Sequence, residues 1–137
     1  MKTILVYVRP DGDEPWVTDA AAELVADTGA DVYVLSVDDV ESQRFEALPR
    51  KESLERADAA ARKAAERLAE RGITARAEGR SGRAADTILE VAEQIDASMI
   101  LVGHPTRRPL AQRLLGGVTQ ELIEQSPRHV MVIGAPR

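Results

Sequence analysis

The sequence predicts an α/β fold: one domain over residues 1–137, built on a doubly wound, five-stranded parallel sheet of order 3-2-1-4-5 with helices on both faces. Three observations lead there. Apolar runs of strand length alternate along the chain with stretches of helical period, the pattern of repeated strand–helix units on a parallel sheet. Most of those runs are unbroken and rich in β-branched residues, as strands buried on both faces require. Only the third run mixes in polar residues, which suits an edge, while the first and most apolar run suits the centre.

Each element follows from its residues. Ile4 to Val8 is the first strand, and Arg9-Pro10-Asp11-Gly12-Asp13 ends it with turn chemistry. Asp13 or Glu14 caps the first helix, and Pro15 takes its first turn, where a missing N–H costs nothing. Val17, Ala20, Ala21, Leu24, Val25 and Thr28 keep helical spacing up to Gly29, a natural C-cap. Asp31 to Val37 is the second strand, followed by an acidic connection from Asp38 to Leu48. Pro49 opens the longest helix, which runs to Arg71 and stops at Gly72. Its stripe of Leu54, Ala57, Ala61, Ala64 and Leu68 is narrow and small enough to lie close on a sheet.

Ile73 to Ala77 is the third strand, and Gly79 to Gly82 is expected to turn the chain. Ala84 to Ile95 is a third amphipathic helix, with Ala85, Ile88, Leu89, Ala92 and Ile95 on one face. Met99 to Val102 is the fourth strand, Val118 to Gln125 a helix ending before Pro127, and His129 to Ile133 the last strand. In this order the direction of winding reverses between the first and fourth strands. Ligands of such sheets bind at the carboxyl ends of the strands beside that reversal. Two segments meet there: Arg9 to Asp13, and His104 to Leu115.

Composition narrows the function classes. Charged residues at 30% and hydrophobic residues at 44% fit a soluble globular protein, and no apolar run approaches the roughly 20 residues that span a bilayer. There is no cysteine, which excludes disulfides and thiolate metal sites and makes a cytoplasmic location the expectation. A net charge of −5 argues against nucleic acid as a partner. Against that acidic background, no acid occurs between Asp96 and Glu121, and the gap holds Arg107, Arg108 and Arg113. A strand, a cationic loop and a helix mouth carrying Gly116-Gly117 form a cradle suited to an anion.

Other chemistries fail on their residues. There is no G-x-x-x-x-G-K-[ST] loop, and no G-x-G-x-x-G follows the first strand. A phosphoacceptor receiver needs a lysine after the fifth strand, and no lysine lies beyond Lys63. His104 and His129 lack zinc-ligand spacing, and no serine sits in a G-x-S-x-G elbow. With no base or metal partner visible for His104, an enzyme is the minority reading.

What remains is Gly103-x-x-Thr106-x9-Gly116-Gly117. Here the chain resembles the universal stress protein (UspA) family, whose nucleotide-binding members carry G-x-x-G-x9-G-[ST] after the fourth strand. KTILVYV, VLSVDD, DTILEVAEQIDASMILVG and LLGGVTQELIEQSPRHVMVIG carry the resemblance across nearly the whole chain. It implies a Rossmann-like fold of the adenine nucleotide alpha hydrolase type and a homodimer paired through the last strand. Val130, Met131, Val132 and Ile133 fit that interface, since an open apolar edge invites pairing.

The resemblance also implies an adenine nucleotide, ATP or AMP, with Mg present only if ATP is bound, in a regulatory rather than catalytic role. Any hydrolysis would be slow and incidental. Backbone at Gly103, Gly116, Gly117 and Val118 would hold phosphates, Arg107 or Arg113 would supply charge, and Val37 would pack on adenine. Three positions depart from the pattern. Thr106 replaces a glycine and puts a hydroxyl near the phosphates; Gly117 replaces the hydroxyl residue; Arg9 replaces an acid that meets the adenosine and can pair with a phosphate instead. Two alternatives stand beside this. Gly103 and Gly116 would then only end a strand and open a helix, or the protein would be a dimeric interaction module that binds no nucleotide.

Overall fold

The computed structural model describes residues 2–10, 14–39, 50–104 and 117–136. In chain order its elements are β1 (Thr3–Tyr7), α1 (Pro15–Thr28), β2 (Asp31–Asp39), α2 (Arg50–Ala69), β3 (Ala75–Gly82), α3 (Ala84–Gln94), β4 (Met99–His104), α4 (Val118–Gln125) and β5 (His129–Gly134). The five strands form one parallel sheet in the order β3-β2-β1-β4-β5, as the sequence predicts.

Alternate residues of the central strands feed two separate cores. Ile4, Val6, Val8, Val32, Val34 and Leu101 pack against Val17 and Ala21 of α1 and against Ala61, Ala64 and Leu68 of α2. Leu5, Tyr7, Leu35, Val37, Ile100 and Val102 pack against Ile88, Val91 and Ala92 of α3 and Leu122 of α4. Both faces of β1 are therefore sealed, which is why Ile4 to Val8 reads as a continuous apolar run rather than an alternating one. Two helices on each face is what right-handed crossovers produce when the winding reverses at β1 and β4.

Local chemistry sets the helix ends. Pro15 takes the first turn of α1 with Glu14 as N-cap, and Gly29 closes the helix at φ 71°, its N–H donating to the Val25 carbonyl. Gly72 does the same for α2 at φ 78°, where Ile73 N–H returns to the Leu68 carbonyl. Pro49 lies outside the described residues.

Two sequence expectations are corrected. Gly79 to Gly82 is not a turn: β3 continues through it, paired residue by residue with Ser36 to Asp39 of β2. Gly79 stands in the strand because α2 lies against it. A Cβ there would run into the backbone nitrogen of Asp58 and sit 2.6 Å from the Ala57 carbonyl carbon. The second correction follows from the first: Asp38 and Asp39 belong to β2 rather than to the acidic connection. Asp38 is buried and accepts a hydrogen bond from Ser53 Oγ of α2 at 2.9 Å. Asp39 accepts from the Ala84 N–H at 3.1 Å and so tethers the start of α3. The remainder of that connection lies outside the described residues.

The two sheet edges differ in kind. β3 presents Arg76, Glu78 and Arg80, and the N–H of Gly79 is occupied by Asp58 Oδ1 at 2.8 Å. Charge and a covered N–H both discourage edge pairing. On β5, Met131 and Ile133 are half-buried against the α1–α2 core, and Val130 and Val132 are half-buried against the α3–α4 core.

Candidate functional site

At the reversal between β1 and β4, the chain leaves β1 through Arg9, whose side chain is 17% exposed. Its Nη1 donates to Glu14 Oε2 at 2.9 Å and to the Gly103 carbonyl at 3.3 Å, and its Nη2 donates to Thr119 Oγ1 at 3.2 Å. The Thr119 hydroxyl in turn donates to the Gly103 carbonyl at 3.1 Å. One guanidinium thus ties together the end of β1, the cap of α1, the end of β4 and the first turn of α4.

Glu14 is the N-cap residue of α1, yet its side chain makes no capping bond. The carboxylate turns inward to Arg9, is only 7% exposed, and leaves Oε1 without a hydrogen-bond partner among the described residues. Gly103 makes room for it: a Cβ on Gly103 would collide with Glu14 Oε2 and stand 2.9 Å from Val17 Cγ2. The glycine at the end of β4 is therefore required by the α1 side of the sheet.

Gly117 is the N-cap of α4 and gives it no side-chain cap, and a Cβ on Gly117 would meet nothing within 4 Å among the described residues. Its first amides and dipole favour an anion at that end. Arg9 Nη2, bonded to Thr119, lies beside them. His104 closes β4 with Nδ1 buried and unpartnered among the described residues.

The structure brings Arg9, Gly103, Gly117 and Val118 to this crevice, Val118 half-buried against the α3–α4 core. Val37 is different: its side chain is 0% exposed within the α3–α4 core, and its carbonyl accepts from the Tyr7 hydroxyl at 3.5 Å. Thr106, Arg107, Arg113 and Gly116 lie outside the described residues. Glu14 and Thr119 were missed from sequence. The signal for Glu14 was an acid immediately before Pro15, read only as a cap. A cavity of about 530 Å³ between α1 and α2 was missed as well, with Arg9, Glu14 and Thr18 on one side and Arg56, Lys63 and Ala60 on the other.

A second charged cluster lies across β2 and β3. The Tyr33 hydroxyl donates to Glu78 Oε2, Arg80 Nε donates to Glu78 Oε1 at 2.7 Å, and the Arg76 guanidinium sits 5.1 Å from the Tyr33 ring centre. Burial, then the bond to Glu78 and its charge, push the Tyr33 hydroxyl up to about 12 against the opposing arginines. For Glu78 burial works against ionisation, but the bonds from Tyr33 and Arg80 outweigh it and hold the carboxyl below its ordinary range. Among the described residues no cluster of His, Asp or Glu suited to a metal ion forms, and no helix is long and apolar enough to cross a membrane.

A sequence model of the Universal stress protein family matches residues 1–134. The chain belongs to the universal stress protein family. Solved members share the fold of this universal stress protein over nearly its full length. Hypothetical protein MJ0577 superposes with a TM-score of 0.77 at 22% identity, covering 99% of this chain and 97% of that one. A universal stress protein from Archaeoglobus fulgidus in complex with dAMP gives 0.70 at 22% identity, covering 97% and 98%. A universal stress protein in complex with cAMP gives 0.69 at 22% identity, covering 97% and 96%. At these identities the likeness establishes the Rossmann-like α/β architecture. No curated protein sequence matches the chain.

Proposed function

We propose that this universal stress protein binds an adenine nucleotide, ATP or AMP, at the β1–β4 reversal, as a regulatory binding protein of the cytoplasm rather than an enzyme. The observation that carries this is the Arg9 guanidinium held beside the uncapped start of α4. Cation, helix dipole and the first amides of α4 lie together at a topological reversal, the kind of position where ligands of such sheets bind. Family members solved with cAMP and with dAMP support the adenine part of the reading.

In this reading Arg9 and the backbone of Gly103, Gly116, Gly117 and Val118 serve the phosphates, with Thr106 and either Arg107 or Arg113 beside them. Val37 of β2 contacts the adenine in this reading, from a position whose side chain is committed to the core. Mg accompanies ATP only, and hydrolysis is slow and incidental.

Calorimetric titration with ATP and AMP tests this, followed in parallel by the fluorescence of Trp16, the second residue of α1 and the only tryptophan. Saturable heat with a Trp16 response is expected, and Gly116→Val abolishes both while leaving the fold intact. Absence of heat up to millimolar nucleotide contradicts the reading. The half-buried apolar edge of β5 favours a second one, a homodimeric interaction module without nucleotide. Under that reading, sedimentation shows a dimer that Val132→Asp splits, and no nucleotide binds.

A further inference from the structure

Arg9 offers five N–H donors and makes three hydrogen bonds among the described residues: two from Nη1 and one from Nη2. The Nε–H and the second Nη2 hydrogen have no acceptor among the described residues. The guanidinium is thus fixed in orientation while keeping donors in reserve at the mouth of α4. Its charge is another matter. Glu14 lies at 2.9 Å, is itself only 7% exposed, and gives Arg9 one oxygen while the other stays unpartnered among the described residues. At this burial, solvent does little to damp the carboxylate's field.

We infer that Glu14 acts as a built-in competitor for phosphate, setting how strongly the crevice holds a phosphate group. This rests on the crevice reading above and adds a specificity-determining residue to it. Arg9 contacts the phosphate with its reserve donors. Glu14 does not touch the ligand; it opposes the incoming charge from behind the guanidinium and keeps affinity low enough for release. The other charged groups that line this cavity are Arg56, Lys63, Arg67, Glu66 and Glu70 of α2, on the wall across from Arg9 and Glu14. They carry both signs, so they do not replace Glu14 as the local opponent of Arg9.

The Glu14→Gln variant removes the charge and keeps an oxygen for Arg9 to bond. Inorganic tripolyphosphate is titrated into the wild-type chain, Glu14→Gln, and the double variant Glu14→Gln/Arg9→Gln. The expected result is binding about tenfold tighter in Glu14→Gln than in the wild type, with the gain lost in the double variant. AMP gains similarly, and adenosine, which lacks phosphate, does not. Removing one member of a buried pair costs stability, so thermal unfolding with and without tripolyphosphate accompanies each titration. The anion raises the melting temperature of Glu14→Gln more than that of the wild type, even where the variant alone is weakly folded. Unchanged or weaker tripolyphosphate binding in Glu14→Gln, or a gain that persists without Arg9, overturns the inference. Failure of the nucleotide reading looks different: tripolyphosphate behaves as described, but ATP binds no more tightly than it does.

Discussion

The crevice at β1 and β4 and the charged cluster at β2 and β3 use the same side-chain types and leave them in different states. Across β2 and β3, both oxygens of Glu78 accept hydrogen bonds, and Arg80 reaches on to Gln94 Oε1 of α3 at 3.3 Å. Further along the same two strands, Ser53 Oγ of α2 bonds to both Asp38 Oδ2 and Ser81 Oγ. At the crevice, Glu14 Oε1 and His104 Nδ1 are buried with no partner among the described residues. Buried polar groups are nearly always satisfied, and the exceptions need a reason. The outer cluster needs nothing more to be stable and reads as structural. The crevice has bonding capacity left over at the β1–β4 reversal, where the proposed ligand would sit. Two buried atoms are outside this division: Ser36 Oγ on β2 and Trp16 Nε1 on α1 have no partner among the described residues, and nothing else in the structure explains them.

Two glycines sharpen the contrast. Gly79 is blocked by the backbone of α2, which cannot move aside, so Gly79→Ala is expected to lose about 3 kcal/mol of stability in a denaturant titration, without altering ligand affinity in the molecules that remain folded. Gly103 is blocked first by the end of the Glu14 side chain, which can shift. Gly103→Ala should therefore cost less, about 1–2 kcal/mol, and should change phosphate affinity by displacing Glu14 from Arg9. Equal stability losses with unchanged affinity at both sites would remove the distinction between the two regions.

A smaller effect separates them by pH. Because the Tyr33 hydroxyl is raised from 10.0 to about 12, its contribution is complete below pH 10 and is lost as pH rises through 12. Glu78 is lowered from 4.5, so its contribution is complete above that value and is lost as pH falls through its lower folded value. Tyr33→Phe should flatten the alkaline loss and move acid unfolding to higher pH, at a cost of about 1 kcal/mol near neutrality. Phosphate binding at the crevice should be unaffected at pH 7. An alkaline transition that survives Tyr33→Phe would assign it to another group.

Most of the fold was legible because burial on both faces writes itself as unbroken runs such as Ile4 to Val8, and because Pro15, Gly29 and Gly72 punctuate the helices where their backbone chemistry demands. The misreading at Gly79 to Gly82 has a clear cause. Glycine marks a turn or a close approach with the same letter, and only the position of α2 shows which. The crevice was half legible. Arg9 stood out as a departure from a family pattern, but Glu14 did not, because a residue before a helix-opening proline already had an explanation as a cap. Gly103 was read toward the ligand, whereas its missing side chain makes room for Glu14 and Val17.

The most direct test is a crystal structure of the protein grown with AMP. The phosphate is expected at the start of α4, within about 3 Å of Arg9 nitrogens and the first helix amides. A nucleotide seated instead in the α1–α2 cavity, with Arg9 still bonded only to Glu14, Gly103 and Thr119, would contradict the account.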